Sequence, residues 1–126
     1  GIVRDVTKDV SIDKSRLFLF GHSSGGHFAS YIAIIKPELF TAITVHAGYN
    51  NVESLKDLKR KTPIAFFAGQ NDNVVPMANT AASAQDFAAY GHETLFIEYV
   101  GHNHWYYTAA HEINMDALNF MGKYTK

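Results

Sequence analysis

Arg16-Leu17-Phe18-Leu19-Phe20-Gly21-His22-Ser23-Ser24-Gly25-Gly26-His27 joins two patterns at a single turn. Leu17 to Phe20 is too short for a helix, carries no polar residue and stops at glycine, which fits a strand buried on both faces of a parallel sheet. From Ser24 to Lys36 the spacing becomes helical, with Phe28, Tyr31, Ile32 and Ile35 expected on one face. Ser23 therefore falls on a strand-to-helix turn.

The turn has the form Gly-x-Ser-x-Gly, and glycine is the residue that tolerates a sharp reversal and close contact between strand and helix. Gly21 and Gly25 are expected to supply that room, pushing the Ser23 hydroxyl out above the carboxyl edge of the sheet. The N–H of Ser24 would then lie at a helix N-terminus, where free donors and the positive end of the dipole favour a developing oxyanion. A plain helix cap is the other reading of Ser23.

Working outward, the chain has 126 residues, 47% hydrophobic and 18% charged, which suits one globular domain spanning residues 1–126. A net charge of −1 without long basic runs gives no electrostatic reason to expect nucleic acid or an anionic membrane surface as partner. The absence of cysteine removes disulfides, thiolate catalysis and Cys-based zinc sites, and leaves the compartment, cytoplasmic or secreted, open. No apolar run has the length of a membrane span, and residues 1–10 do not resemble a signal peptide.

Ile2, Val3, Val6 and Val10 form a helical face opposite Arg4, Asp5, Lys8 and Asp9. The helix after Ser23 is expected to end at Lys36-Pro37. Thr41 to His46 reads as a second strand, residues 52–59 as a weak helix, Ile64 to Ala68 as a third strand, Met77 to Tyr90 as a helix closed by Gly91, and Thr94 to Tyr99 as a fourth strand. Trp105 to Tyr124 is mostly helical in pattern. Alternating strands and helices predict an α/β three-layer sandwich with a parallel sheet, whose ligands bind at the carboxyl ends of strands. Ser23, Asp72 and the histidines near Gly101 all fall at such ends.

Four segments together make the chain resemble the C-terminal portion of an α/β-hydrolase, of the branch that holds esterases, feruloyl esterases and polyhydroxybutyrate depolymerases. They are Gly21-His22-Ser23-Ser24-Gly25-Gly26, Lys36-Pro37-Glu38-Leu39-Phe40-Thr41-Ala42, Gly69-Gln70-Asn71-Asp72-Asn73-Val74-Val75-Pro76, and Tyr99-Val100-Gly101-His102-Asn103-His104-Trp105-Tyr106. In order they resemble the family's nucleophile elbow, its link into the next strand, its acid loop and its histidine loop. The order Ser, Asp, His is that of α/β-hydrolases. The resemblance implies a partial fold, lacking N-terminal strands and the loop that donates a second oxyanion N–H. The preceding segment or another polypeptide is expected to complete the sheet.

The implied reaction is hydrolysis of a small-molecule carboxylic ester through an acyl-enzyme, with no cofactor and no metal. A serine hydroxyl attacks poorly at neutral pH, so a histidine must take its proton and a carboxylate must fix that histidine's tautomer. Ser23 is the expected nucleophile and Asp72 the expected acid, although Asp72 also fits a turn cap. Asp57 and Asp86 fall in helical patterns and read as solvated. Of the two histidines flanking Asn103, the spacing from Tyr99 favours His104 as base, with His102 the alternative. A metal site from His102, His104 and His111 is a further alternative. His22, His27, His46 and His92 read as structural, and for His22 and His27, which border the elbow, lining the pocket is the alternative. Trp105, Tyr106 and Tyr107 are expected to form either an aromatic wall or core, and Tyr49 and Asn50 a rim. A serine peptidase of the prolyl oligopeptidase type and a non-catalytic remnant used for binding are the competing functions.

Overall fold

A computed structural model describes residues 14–50, 58 and 60–125. The expected helical face within residues 1–10 and the helix over 52–59 fall outside them, apart from Leu58, which is irregular.

Four strands, β1 (Phe18–His22), β2 (Ala42–His46), β3 (Ile64–Gly69) and β4 (Thr94–Tyr99), lie side by side in chain order, and every neighbouring pair is parallel. Helix α1 (Ser24–Ile35) joins β1 to β2, α2 (Met77–Ala89) joins β3 to β4, and α3 (Ala110–Met121) follows a 3-10 turn at Tyr106–Ala109. Alternation along the strands sorts the core into two sides. Ile43, Val45, Ile64 and Phe66 pack on Ala29, Ile32 and Ala33 of α1 and Ala84 and Phe87 of α2. Ala42, Ala65 and Phe67 pack on Ile113, Ala117 and Phe120 of α3. The three layers of the expected sandwich are thus α1 and α2, the sheet, and α3.

Strands β2 and β3 have a neighbour on either side and are buried throughout. Strand β1 pairs only with β2 among the described residues, and in it Gly21 alone is fully buried. The expectation of a first strand buried on both faces is corrected here. It begins at Phe18 because the Leu17 N–H donates to the Thr41 hydroxyl (3.1 Å).

Helix α1 carries a second correction. Phe28, Tyr31 and Ile35, expected to share one face with Ile32, are 61%, 49% and 47% exposed, whereas Ile32 is buried. The inner stripe is instead Gly26, Ala29, Ile32 and Ala33. A Cβ added to Gly26 would come within 2.8 Å of Val45 Cγ1, so the helix lies too close to the sheet for bulky residues at its start.

Candidate active site

The chain turns from β1 into α1 at Ser23, whose backbone has φ 54° and ψ −116°. A non-glycine residue at positive φ costs on the order of 1–3 kcal/mol, and the surroundings must hold it there. The Ser23 N–H donates to the His46 carbonyl (2.9 Å), and the Ser23 carbonyl accepts from the His27 N–H (2.9 Å). Gly21 is required: a Cβ on it would lie 2.3 Å from the Gly25 carbonyl oxygen. Gly25 is not required for lack of space, because a Cβ there would meet nothing within 4 Å. The room expected from Gly21 and Gly25 comes from Gly21 and Gly26. Ser24 is the first residue of α1, so its N–H has no helical carbonyl to bond.

Asp72 follows β3 and His104 follows β4, and the two loops are tied together through their backbones. The Gln70 N–H donates to the Tyr99 carbonyl (3.0 Å) and the Asn71 N–H to the His102 carbonyl (2.8 Å). A Cβ on Gly69 would sit 2.3 Å from the His102 carbonyl oxygen, so glycine alone lets the loops meet. Asp72 Oδ1 accepts from the N–H groups of Val74 (2.9 Å) and Val75 (2.8 Å), which turns Oδ2 toward His104 Nδ1 at 2.8 Å. His104 Nε2 lies 2.9 Å from Ser23 Oγ. Burial by itself would raise the Asp72 carboxyl, but the hydrogen bonds from His104, Val75 and Val74 outweigh it and hold the group below the usual carboxylate range. A carboxylate fixed in this way makes Nδ1 the protonated nitrogen of His104 and leaves Nε2 able to accept the serine proton.

The structure directs His102 away from Ser23. Its Nε2 lies 2.9 Å from His46 Nε2, and its Nδ1 lies 3.1 Å from Thr108 Oγ1. His46, fully buried, reaches with its other nitrogen to His22 Nδ1 at 2.8 Å. Sequence reasoning missed this chain, since His22 and His46 are 24 residues apart and only the register pairing of β1 with β2 sets them side by side. His22 meets His46 edge to edge, 5.0 Å between ring centroids with the planes 18° apart, and lies 5.1 Å from His104 and 6.4 Å from Tyr106.

Trp105 is half exposed and meets His104 edge-on, Tyr106 packs on Phe20, and Tyr107 points to solvent. Of the three aromatics, Trp105 and Tyr106 therefore lie beside the His22 and His104 rings, and Tyr107 does not. His27 Nδ1 is held by the backbone of Tyr49, and the Asn50 backbone by Ser83, so these residues clamp the loop after β2. His111 lies exposed on α3. Among the described residues no cluster of three or more His, Asp or Glu is arranged to hold a metal ion, and no helix is long and apolar enough to cross a membrane.

A parallel sheet flanked by helices, with Ser, Asp and His at the carboxyl ends of three strands in that chain order, is the α/β-hydrolase arrangement. Within that superfamily the chain belongs to the dienelactone hydrolase family, whose profile matches residues 2–120. It is 35% identical over 85 residues to a triacylglycerol lipase of Pseudomonas fragi, a match covering 67% of this chain and 28% of the lipase. Among solved structures it superposes on a thermostable esterase with a TM-score of 0.82 at 25% identity, covering 99% of this chain and 35% of that one. A putative dienelactone hydrolase from Klebsiella pneumoniae shares the fold with a TM-score of 0.77 at 18% identity, over 97% of this chain and 58% of that one. The chain thus spans about a third of the lipase and the esterase that it matches.

Proposed function

We propose that these residues form the catalytic part of a serine hydrolase acting on small carboxylic esters, within a single α/β-hydrolase domain. The observation that carries the reading is the unbroken Ser23–His104–Asp72 hydrogen-bond array, 2.9 Å and 2.8 Å long. In this reading Ser23 Oγ attacks the ester carbonyl as His104 Nε2 takes its proton. The tetrahedral oxyanion rests on the Ser24 N–H, and the proton passes from His104 to the leaving alcohol as the acyl-enzyme forms. Water then repeats the sequence and frees the acid. Asp72 stabilises the imidazolium without taking a proton. The strained turn at Ser23 is the nucleophile elbow of this scheme. The family, the lipase relative and the esterase neighbour all support ester chemistry.

The test is labelling of the whole protein by a fluorophosphonate, followed by peptide mapping. Labelling confined to Ser23 and lost in Ser23→Ala is expected, together with hydrolysis of p-nitrophenyl butyrate. Label on another serine, or a folded protein inert toward that ester, refutes the reading.

A further inference from the structure

Three histidines and a threonine run in one line from beside the nucleophile to the far side of the histidine loop: His22 Nδ1 to His46 Nδ1 (2.8 Å), His46 Nε2 to His102 Nε2 (2.9 Å), His102 Nδ1 to Thr108 Oγ1 (3.1 Å). The reaction scheme uses none of the four. A bond between two imidazole nitrogens requires a proton on one side and a lone pair on the other, so the tautomers along the line are coupled and one end sets the rest.

The threonine end sets them. Thr108 Oγ1 has one proton, and two of its neighbours, the Trp105 carbonyl (2.7 Å) and Asn103 Oδ1 (3.0 Å), can only accept. The orientation of the Asn103 amide is settled independently, because Oδ1 also accepts the Trp105 N–H (2.9 Å). With its proton committed to those acceptors, Oγ1 faces His102 as a lone pair and His102 Nδ1 must donate. His102 Nε2 is then a lone pair, His46 donates from Nε2, and His22 donates from Nδ1 to the lone pair on His46 Nδ1. The outcome is that His22 Nε2 has no proton. Charge does not blur this order: burial holds His46 neutral down to about 3, and burial and neighbouring histidines lower His22 and His102 as well. The groups acting on His22 are His46 and His102 within the line, and His104 and Asp72 of the array.

Among the described residues the one side-chain hydrogen bond of His22 is made by Nδ1, the His46 backbone also acts on the ring, and the ring is partly exposed next to Ser23, His104, Trp105 and Tyr106. We infer that the Thr108–His102–His46–His22 line is a directional relay that presents an Nε2 lone pair at the cleft, making His22 the acceptor for a hydroxyl on the ester substrate. The residue selects esters bearing an O–H close to the scissile bond, on the acyl or the alcohol side. His22 is thus a specificity residue, and Thr108, His102 and His46 are positioning residues acting through it. This deepens the ester-hydrolase reading and rests on it.

Two measurements on the whole protein test it. Long-range proton–nitrogen NMR of the imidazoles at neutral pH is expected to show the Nδ1–H tautomer for His22 and His102 and the Nε2–H tautomer for His46, with or without catalysis. The reverse set, or interconverting tautomers, overturns the relay. In kinetics, kcat/KM is compared within two matched pairs, p-nitrophenyl butyrate against its 3-hydroxy counterpart and n-propyl butyrate against 2-hydroxyethyl butyrate. A preference of about tenfold for the hydroxylated member of one pair is expected, the size of a single net hydrogen bond, and the pair that shows it identifies the side carrying the O–H. His22→Phe is expected to bring that ratio to about one, and Thr108→Val to reduce it while altering the His102 tautomer. Ratios near one in the wild type for both pairs overturn hydroxyl recognition, whereas failure to cleave any of the four esters overturns the hydrolase reading instead.

Discussion

The backbone at Ser23 is strained at φ 54°, and that strain should be visible in stability. Glycine normally weakens a structure relative to alanine by about 0.5–1 kcal/mol, but it adopts positive φ without penalty. Ser23→Gly is therefore expected to unfold at a denaturant midpoint equal to or above that of Ser23→Ala; both lose the bond to His104, and only alanine keeps the strain. At the neighbouring glycines the order reverses with position. Gly21→Ala drives a Cβ against the Gly25 backbone and should cost at least about 1–3 kcal/mol, while Gly25→Ala enters open space and should be tolerated in urea titrations. His104→Ala is expected to lower kcat by about 10⁴-fold or more, with His102→Ala far milder because its nitrogens face His46 and Thr108. The meeting of Ser23, Asp72 and His104 was legible because each lies in a short motif at a strand end. His46 was not, since its partners are 24 and 56 residues away, and no spacing within the chain encodes a contact that sheet pairing creates.

The elements were legible to within a residue or two wherever one period dominated. Strand β4 runs over the expected residues, and α1 and α2 each stop one residue before the expected end. What periodicity did not reveal was which side of α1 faces the sheet. Both sides carry apolar residues, and the close approach at Gly26 chose the side with small ones. Strand β2 carries a consequence for pH. An unfolded histidine protonates near 6.5, whereas His46, desolvated within the sheet layer, stays neutral to about 3. Between those values the unfolded chain binds a proton that the folded one does not. Stability therefore rises with pH across that window and is lost as pH falls, by at most about 1.4 kcal/mol per pH unit for one group. His22, His92 and His102 are lowered too and act in the same direction. Urea midpoints measured from pH 7 to pH 4 should fall steadily, and the slope should be shallower in His46→Gln.

For the whole molecule, the described surface leaves one side of β1 without a strand partner and exposes Phe28, Tyr31 and Ile35 on α1. Open strand edges and apolar patches both promote association. The 126-residue chain by itself is expected to elute in light-scattering chromatography at masses that grow with concentration, and Phe28→Gln with Tyr31→Gln should reduce that growth. A monodisperse monomer across the range would contradict this. The architecture as a whole was readable from alternating patterns, but how the two loops after β3 and β4 meet was not, because main-chain groups join them. That junction bears on how such a protein diversifies. Since amides, carbonyls and one glycine hold the acid next to the base, the outward side chains of Asn71 and Asn73 are released from keeping the machinery aligned. A lineage, or a laboratory library, can reshape that rim for new substrates while inheriting the proton-handling pair unchanged.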